Sequence, residues 1–216
     1  MLLCSAVLPL PQRVERHIQG TPEVLLRIRL GGDCVEPRKF TPEELSSLLQ
    51  QAVSWLHQQR AHFLPSSVPL DGKQKSLLGP FFPAEILDRV RIVDASQLGE
   101  TIPYPPFYET VRAGGARVLP DAAHMTGIAF VDVMVFNRPP SLRTIFHNLV
   151  HVTQYSILGE ERVLRGYFET LNEAGLWMVV PFEEQAYQMD ARFTRDPADV
   201  FSVEAEIHDW ERRGRY

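Results

Sequence analysis

Two histidines four residues apart offer the clearest chemistry in this sequence. His147 and His151 lie in the segment HNLVH, and in an α-helix residues i and i+4 project from the same face, one turn apart. Two imidazoles so placed can bind one divalent cation, as they do in the HExxH zinc signature. In that signature the residue after the first histidine is a glutamate that acts as the general base. Here it is Asn148, and an amide cannot be a general base because it has no basic site near neutral pH.

The residues around the two histidines have the periodicity of a helix. Apolar residues share one arc of a 3.6-residue wheel, and both histidines fall on the other side. Ser141 is a candidate N-cap and Gly159 a candidate stop. The pattern predicts a helix that is buried on its apolar side and directs both histidines towards a different neighbour.

A tight zinc site needs a third protein ligand in addition to two histidines. Glu183, in the segment PFEEQAY, is the candidate. It would lie in the first turn of a helix that begins near Pro181, and the small Ala186 one turn later would allow close approach of the two helices. The alternative is that Glu183 and Glu184 are simply acids that favour a helix N-terminus.

These segments resemble the zincin-like metallopeptidases whose third ligand is a glutamate. The closest likeness is to small bacterial proteins with a strand, then HELVHxxQY, then a helix, then PFExxAY. The matching pieces are GIAFVDVMVF, HNLVHVTQYSILG, LRGYFETL and PFEEQAY, which cover the chain from Met125 onwards. The resemblance implies an α+β, zincin-like fold that is mainly helical, with a small sheet whose edge strand precedes the HxxxH helix. It also implies that Gly127–Phe136 lines a substrate cleft.

The same resemblance implies roles for four residues. His147, His151 and Glu183 would be the metal ligands, and Asn148 would stand where the family has its catalytic glutamate. Two imidazoles and a carboxylate favour zinc, while a 2-His-1-carboxylate iron site is the less favoured alternative. General acid–base catalysis is worth about 10²–10⁴-fold, so peptidase activity should be severely reduced.

Three functional hypotheses follow from this substitution. The leading one is a degenerate zincin that binds a divalent metal, has little or no peptidase activity, and either binds a peptide or protein segment or acts structurally. The second is an active metal-dependent hydrolase with an unorthodox base such as Glu184, assisted by hydrogen bonds from Tyr155 or Tyr187. The third is a protein without metal in which His147, His151 and Glu183 form a hydrogen-bonded polar cluster.

The remaining histidines that could serve as ligands have simpler interpretations. His57 and His62 lie near the end of a predicted helix, where a positive charge interacts favourably with the helix dipole. His124 precedes a predicted strand and could bind a metal only if the fold placed it next to the other ligands.

Length and composition narrow the classes of protein. The 216 residues predict a single zincin-like domain, 1–216, with a metal-site core at 83–216 and a less certain N-terminal portion at 1–82. The net charge of −5 is mild and its acids are scattered, which argues against nucleic acid or an anionic membrane surface as a partner. Nowhere in the sequence do 18 apolar residues follow one another, so no membrane span is predicted. Cys4 and Cys34, the two cysteines, suggest ordinary thiols and a cytoplasmic location.

Other elements follow from local patterns. Thr41-Pro42-Glu43-Glu44 has the capping-box arrangement and predicts a helix over 42–62. The further predictions are a strand at Glu23–Leu30, an irregular connection at Leu64–Pro83, a helical turn at Ala84–Asp88, a strand at Val90–Val93, an extended segment at Ile102–Phe107, one strand at Met125–Asn137, and helices at Glu160–Leu171, Phe182–Phe193 and Ser202–Arg213.

Overall fold

The computed structural model describes residues 39–113, 119, 122, 124–174 and 179–216. Within these residues the fold is α+β and mainly helical, as predicted. The helices are α1 (Pro42–Phe63), α2 (Gly72–Leu78), α3 (Ala84–Arg89), α4 (Tyr108–Ala113), α5 (Leu142–Leu158), α6 (Glu160–Ala174), α7 (Pro181–Arg195) and α8 (Val203–Arg212). The strands are β1 (Val68–Pro69), β2 (Arg91–Asp94), β3 (Gly127–Phe130) and β4 (Val133–Phe136).

The four strands form one mixed sheet in the order β1-β2-β4-β3. β2 and β4 are parallel, and the other two pairs are antiparallel. The predicted single strand over Met125–Asn137 is wrong, because the chain reverses at Val131 and Asp132 to form a hairpin. Both arms are fully buried, so their sequence lacks the polar alternation that would have marked two strands and a turn.

The strand that directly precedes the histidine helix is not the edge strand, contrary to the prediction. That strand is β4, which lies between β2 and β3. β3 occupies the edge of the described sheet and packs against α5. Because the predicted strand is a hairpin, its first arm, β3, takes the edge position, while its second arm, β4, leads into the helix.

The histidine helix α5 lies at the centre of the molecule. Ser141 caps its N-terminus and Gly159 follows its last residue, as predicted. Every residue from Thr144 to Tyr155 is buried, with no more than 4% of its surface exposed. The prediction that α5 is buried on its apolar side alone is therefore wrong. β3 packs on α5, and α6, α7 and α8 pack on its remaining surface.

The helices around α5 approach one another closely at two small residues. A Cβ atom placed on Gly166 of α6 would lie 2.6 Å from the ring of Phe182 at the start of α7, so a larger residue could not occupy this position without a shift. Ala186, one turn into α7, is fully buried. This close packing fixes the first turn of α7, which contains Glu183.

The N-terminal described elements confirm one prediction and correct another. α1 begins with the predicted capping box between Thr41 and Glu44. The irregular connection predicted for Leu64–Pro83 is wrong, because it contains β1 and α2. Asp71 and Gln74 form a second capping box at the start of α2, a signal outweighed by the surrounding prolines and glycines.

The later elements largely follow the predictions. α3, β2, α6, α7 and α8 lie within a few residues of their predicted bounds, whereas α4 follows the predicted extended segment without having been foreseen. The predicted strand at Glu23–Leu30 and both cysteines lie outside the described residues. No helix in the described part is long and apolar enough to cross a membrane. The division at residue 82 stays a prediction.

Candidate metal centre

His147, His151 and Glu183 converge inside the protein. The two Nε2 atoms are 3.1 Å apart. Nε2 of His147 lies 3.6 Å from Oε2 of Glu183, and Nε2 of His151 lies 3.7 Å from Oε1 of the same carboxylate. The side chains are exposed by only 1%, 0% and 0%, respectively. The fold thus brings the three predicted ligands together in a volume closed to solvent.

The distances among these atoms suit a tetrahedral cation. Ligand bonds of about 2.0–2.1 Å at the tetrahedral angle place neighbouring donor atoms about 3.3 Å apart. The three separations lie close to this value, and the group could hold a metal ion.

Both histidines are oriented through the ring nitrogen that faces away from this centre. Nδ1 of His147 lies 2.9 Å from Oδ2 of Asp190, whose other oxygen accepts a hydrogen bond from Arg143. Nδ1 of His151 lies 2.9 Å from Oε1 of Gln154. Because both acceptors are oxygens, each Nδ1 is the donor. This arrangement directs Nε2 of each ring to the centre, as metal-binding histidines require.

Glu183 is held by one oxygen and leaves the other without a hydrogen bond. The hydroxyl of Tyr167 donates to Oε1 at 2.5 Å. Oε2 is buried and has no hydrogen-bond partner among the described residues. A buried carboxylate oxygen without a partner is costly, and a cation at the centre would satisfy it. This atom is the observation that a metal best explains.

The pKa values of the two histidines shift in opposite directions. Burial would lower the pKa of His147, but the carboxylates of Asp190 and Glu183 outweigh it and raise the pKa to about 9. Burial also dominates at His151 and lowers its pKa to about 4. Burial would raise the pKa of Glu183, but the adjacent histidines lower it overall. Without a metal, the centre therefore holds an ionised Glu183 beside a protonated His147.

Asn148 is fully buried next to the histidine pair. Its Nδ2 donates a hydrogen bond to the carbonyl oxygen of Thr144 at 2.9 Å. A Cβ atom on Gly127 of β3 would lie 3.3 Å from that same nitrogen. The amide is thus packed between its own helix and the hairpin, where a carboxylate would face the Thr144 carbonyl.

Glu184 was considered as an alternative base, and Tyr155 and Tyr187 as hydrogen-bond donors that assist it. Glu184 is exposed and bonds to Gln188 and Arg215, so it is not part of the cluster. The ring of Tyr187 lies 4.7 Å from that of His147. Tyr155 is buried in α5 one turn after His151.

The three other histidines considered as ligands lie outside the triad. His57 and His62 contact Glu160 and Glu100 at 2.6 and 2.7 Å, so acids rather than the helix dipole alone provide their partners. His124 is exposed.

Three supporting residues of the centre were not predicted. Asp190 follows Glu183 by seven residues, two helical turns, and this spacing could have placed it on the same face. Gln154 and Tyr167 lie inside the segments HNLVHVTQYSILG and LRGYFETL. Gln154 lies one helical turn after His151, a spacing that could have identified it, whereas Tyr167 carried no signal because Glu183 is 16 residues away.

Comparison with known proteins does not extend this description. No family model, curated protein or solved structure matches the chain. The site must therefore be interpreted from its own geometry.

Proposed function

We propose that this protein is a degenerate zincin-like metalloprotein that binds zinc through His147, His151 and Glu183 and has little or no peptidase activity. The observation that supports this proposal best is the convergence of three ligand groups around the buried Oε2 of Glu183, which has no hydrogen-bond partner among the described residues. Two imidazoles and a carboxylate are a ligand set that zinc accepts.

The described residues supply ligands for this centre but no free proton acceptor beside it. A bound zinc ion would supply Lewis acidity. Asn148 has no basic atom, and its amide nitrogen already donates to Thr144. The Asp190 carboxylate contacts both Arg143 and His147. Glu184, the unorthodox base considered above, faces solvent.

Closure of the site favours a structural role over peptide binding at the metal. The three ligand side chains expose no more than 1% of their surface, so a peptide carbonyl would not reach them in this conformation. The centre instead links α5 to α7, and Tyr167 extends the link to α6. Such a centre would stabilise the packing of three helices, because binding to the folded state alone adds to its stability.

One observation favours the alternative without metal. The two Nε2 atoms lie 3.1 Å apart, which is a hydrogen-bonding distance if one of them carries a proton. A doubly protonated His147 would donate to Asp190 through Nδ1 and to His151 through Nε2. Proton and metal thus compete for the same position.

Elemental analysis of the purified protein separates these two functions. We expect about one zinc per chain in the wild type, and loss of that zinc in His147→Ala/His151→Ala. The matched control is His57→Ala/His62→Ala, which removes two histidines from α1 and should retain the metal. Absence of metal in the wild type after reconstitution with zinc, or its retention in the first variant, would contradict the proposal.

A further inference from the structure

A second cavity, of about 340 Å³, lies beside the buried centre. Its walls come from the last turns of α1, the end of α3, the β3–β4 turn, the C-terminal half of α5 and the first residue of α6. A volume in this range accommodates a small molecule. None of the three candidate metal ligands lines this cavity.

Each acid that lines this cavity contacts a basic side chain. Asp132 accepts two hydrogen bonds from Arg60, at 2.5 and 3.0 Å. Oε2 of Glu160 lies 2.6 Å from Nε2 of His57. Arg89 also lines the cavity, and its guanidinium has no ion-pair partner in the described part of the chain. Both acids therefore have a partner within the lining, whereas the exposed Arg89 keeps its guanidinium available to an anion.

Arg60 adds a second guanidinium in a fixed orientation. Its pair with Asp132 uses Nε and Nη2 and leaves the hydrogens of Nη1 outside the pair. A planar guanidinium with spare donors suits the planar, two-point recognition of carboxylate or phosphate oxygens. Two such groups in one small cavity favour a ligand that carries an oxyanion.

Tyr155 adds an unsatisfied polar group next to the cavity. This residue lines the cavity and is 4% exposed. Its hydroxyl is buried and has no hydrogen-bond partner among the residues that the structure describes. Burial, together with the negative charges of Glu160 and Glu183, raises the pKa of the hydroxyl, which therefore keeps its proton and acts as a donor. A buried donor without an acceptor is destabilising unless a ligand or water supplies one.

Backbone strain marks the same cavity. Val131, at its edge, has a φ of +60°, a conformation that a β-branched residue rarely adopts. It is the first of the two turn residues between β3 and β4, and Asp132 does not share its positive φ. Glycine is the usual residue at such a position. Strain of this kind tends to be retained at binding sites.

We propose that this cavity binds a small molecule that carries a carboxylate or phosphate group, with Arg89 and Arg60 as the anion-binding residues. The proposal is independent of whether the neighbouring centre holds a metal, because none of the three predicted ligands lines the cavity.

Calorimetric titration of the full-length chain tests this proposal. The probes are inorganic phosphate, acetate, succinate and citrate, at a constant ionic strength set with sodium chloride. We expect saturable binding of one oxyanion per chain for at least one probe. Saturation by phosphate alone would indicate a phosphate-bearing ligand, and saturation by the organic acids alone would indicate a carboxylate.

Arginine variants decide whether the cavity is responsible. Arg89→Gln should weaken binding about tenfold or more, because it removes a charged hydrogen-bond donor. The matched control is Arg112→Gln, at an exposed position on α4 outside the cavity, which should leave binding unchanged. Circular dichroism checks that both variants fold. The proposal is overturned if no probe saturates, or if the two variants weaken binding equally.

Discussion

The candidate metal centre and the cavity proposed to bind an oxyanion both use residues of α5 but differ in their access to water. His147 and His151 of α5 are closed to solvent. In the cavity, by contrast, the side chains of His57 and Arg60 are 53% and 32% exposed. Both regions pair acids with bases. This difference shows which unsatisfied polar groups are informative. Water can satisfy a polar group in an open region, whereas a polar group that is closed to water either contacts a ligand or lowers the stability of the fold. Oε2 of Glu183 and the Tyr155 hydroxyl belong to the second kind.

The largest expected effect comes from breaking the closed region. Glu183→Gln removes a buried charge that interacts with both histidines and should lower the free energy of unfolding by about 3–5 kcal/mol. The adjacent Glu184 is exposed, so Glu184→Gln should change it by less than about 0.5 kcal/mol. Urea unfolding of both variants measures the difference. Equal stabilities would mean that Glu183 is not part of a tightly coupled centre.

A smaller effect is expected from the strained turn beside the open region. Val131→Gly should stabilise the protein by up to about 1 kcal/mol. Relief of the left-handed conformation contributes about 1–2 kcal/mol, and the greater freedom of glycine in the unfolded chain offsets about half of that. Thermal unfolding measures the change. A clear loss of stability would show that the packing of the Val131 side chain outweighs the strain.

Asn148→Glu sharpens the distinction between a missing base and a closed site. We expect no gain in casein hydrolysis, since substrate does not reach the ligands and the new carboxylate would face the carbonyl of Thr144. Asn148→Gln has the same length without the charge and serves as the control, and zinc content is measured in both. A substantial gain in hydrolysis with zinc retained would show that the site opens and lacks only its base.

Local signals in the sequence were sufficient to predict most helices and the pairing of the two histidines. The capping residues Thr41, Ser141 and Ser202 begin α1, α5 and α8, because an N-cap acts within a few residues of its own position. His147 and His151 share a helix, so their spacing alone determines that they lie together. Glu183 required a resemblance to known proteins, because no local rule brings α7 to α5.

What the sequence did not reveal depends on contacts between distant residues. Burial of Thr144–Tyr155 on every side results from three other helices and β3. The sequence predicted a neighbour for the histidines but did not show that Asp190, Gln154 and Tyr167 would support the centre. The turn at Val131 was missed because valine is not a turn former, and Asp132 is held there by Arg60, 72 residues earlier. Strain retained by a tertiary contact leaves no local pattern.

The topology of the sheet has a consequence for the order of folding. β3 and β4 are joined by two residues, and hairpins of this kind form within about 1–10 microseconds. β2 pairs with β4 in parallel, and residues 95–132 separate the two strands, so their pairing must first close a loop at a cost of about 3 kcal/mol in chain entropy. The hairpin should therefore form before β2 joins it. Formation of the ion pair between Arg60 and Asp132 would then report when α1 meets the hairpin.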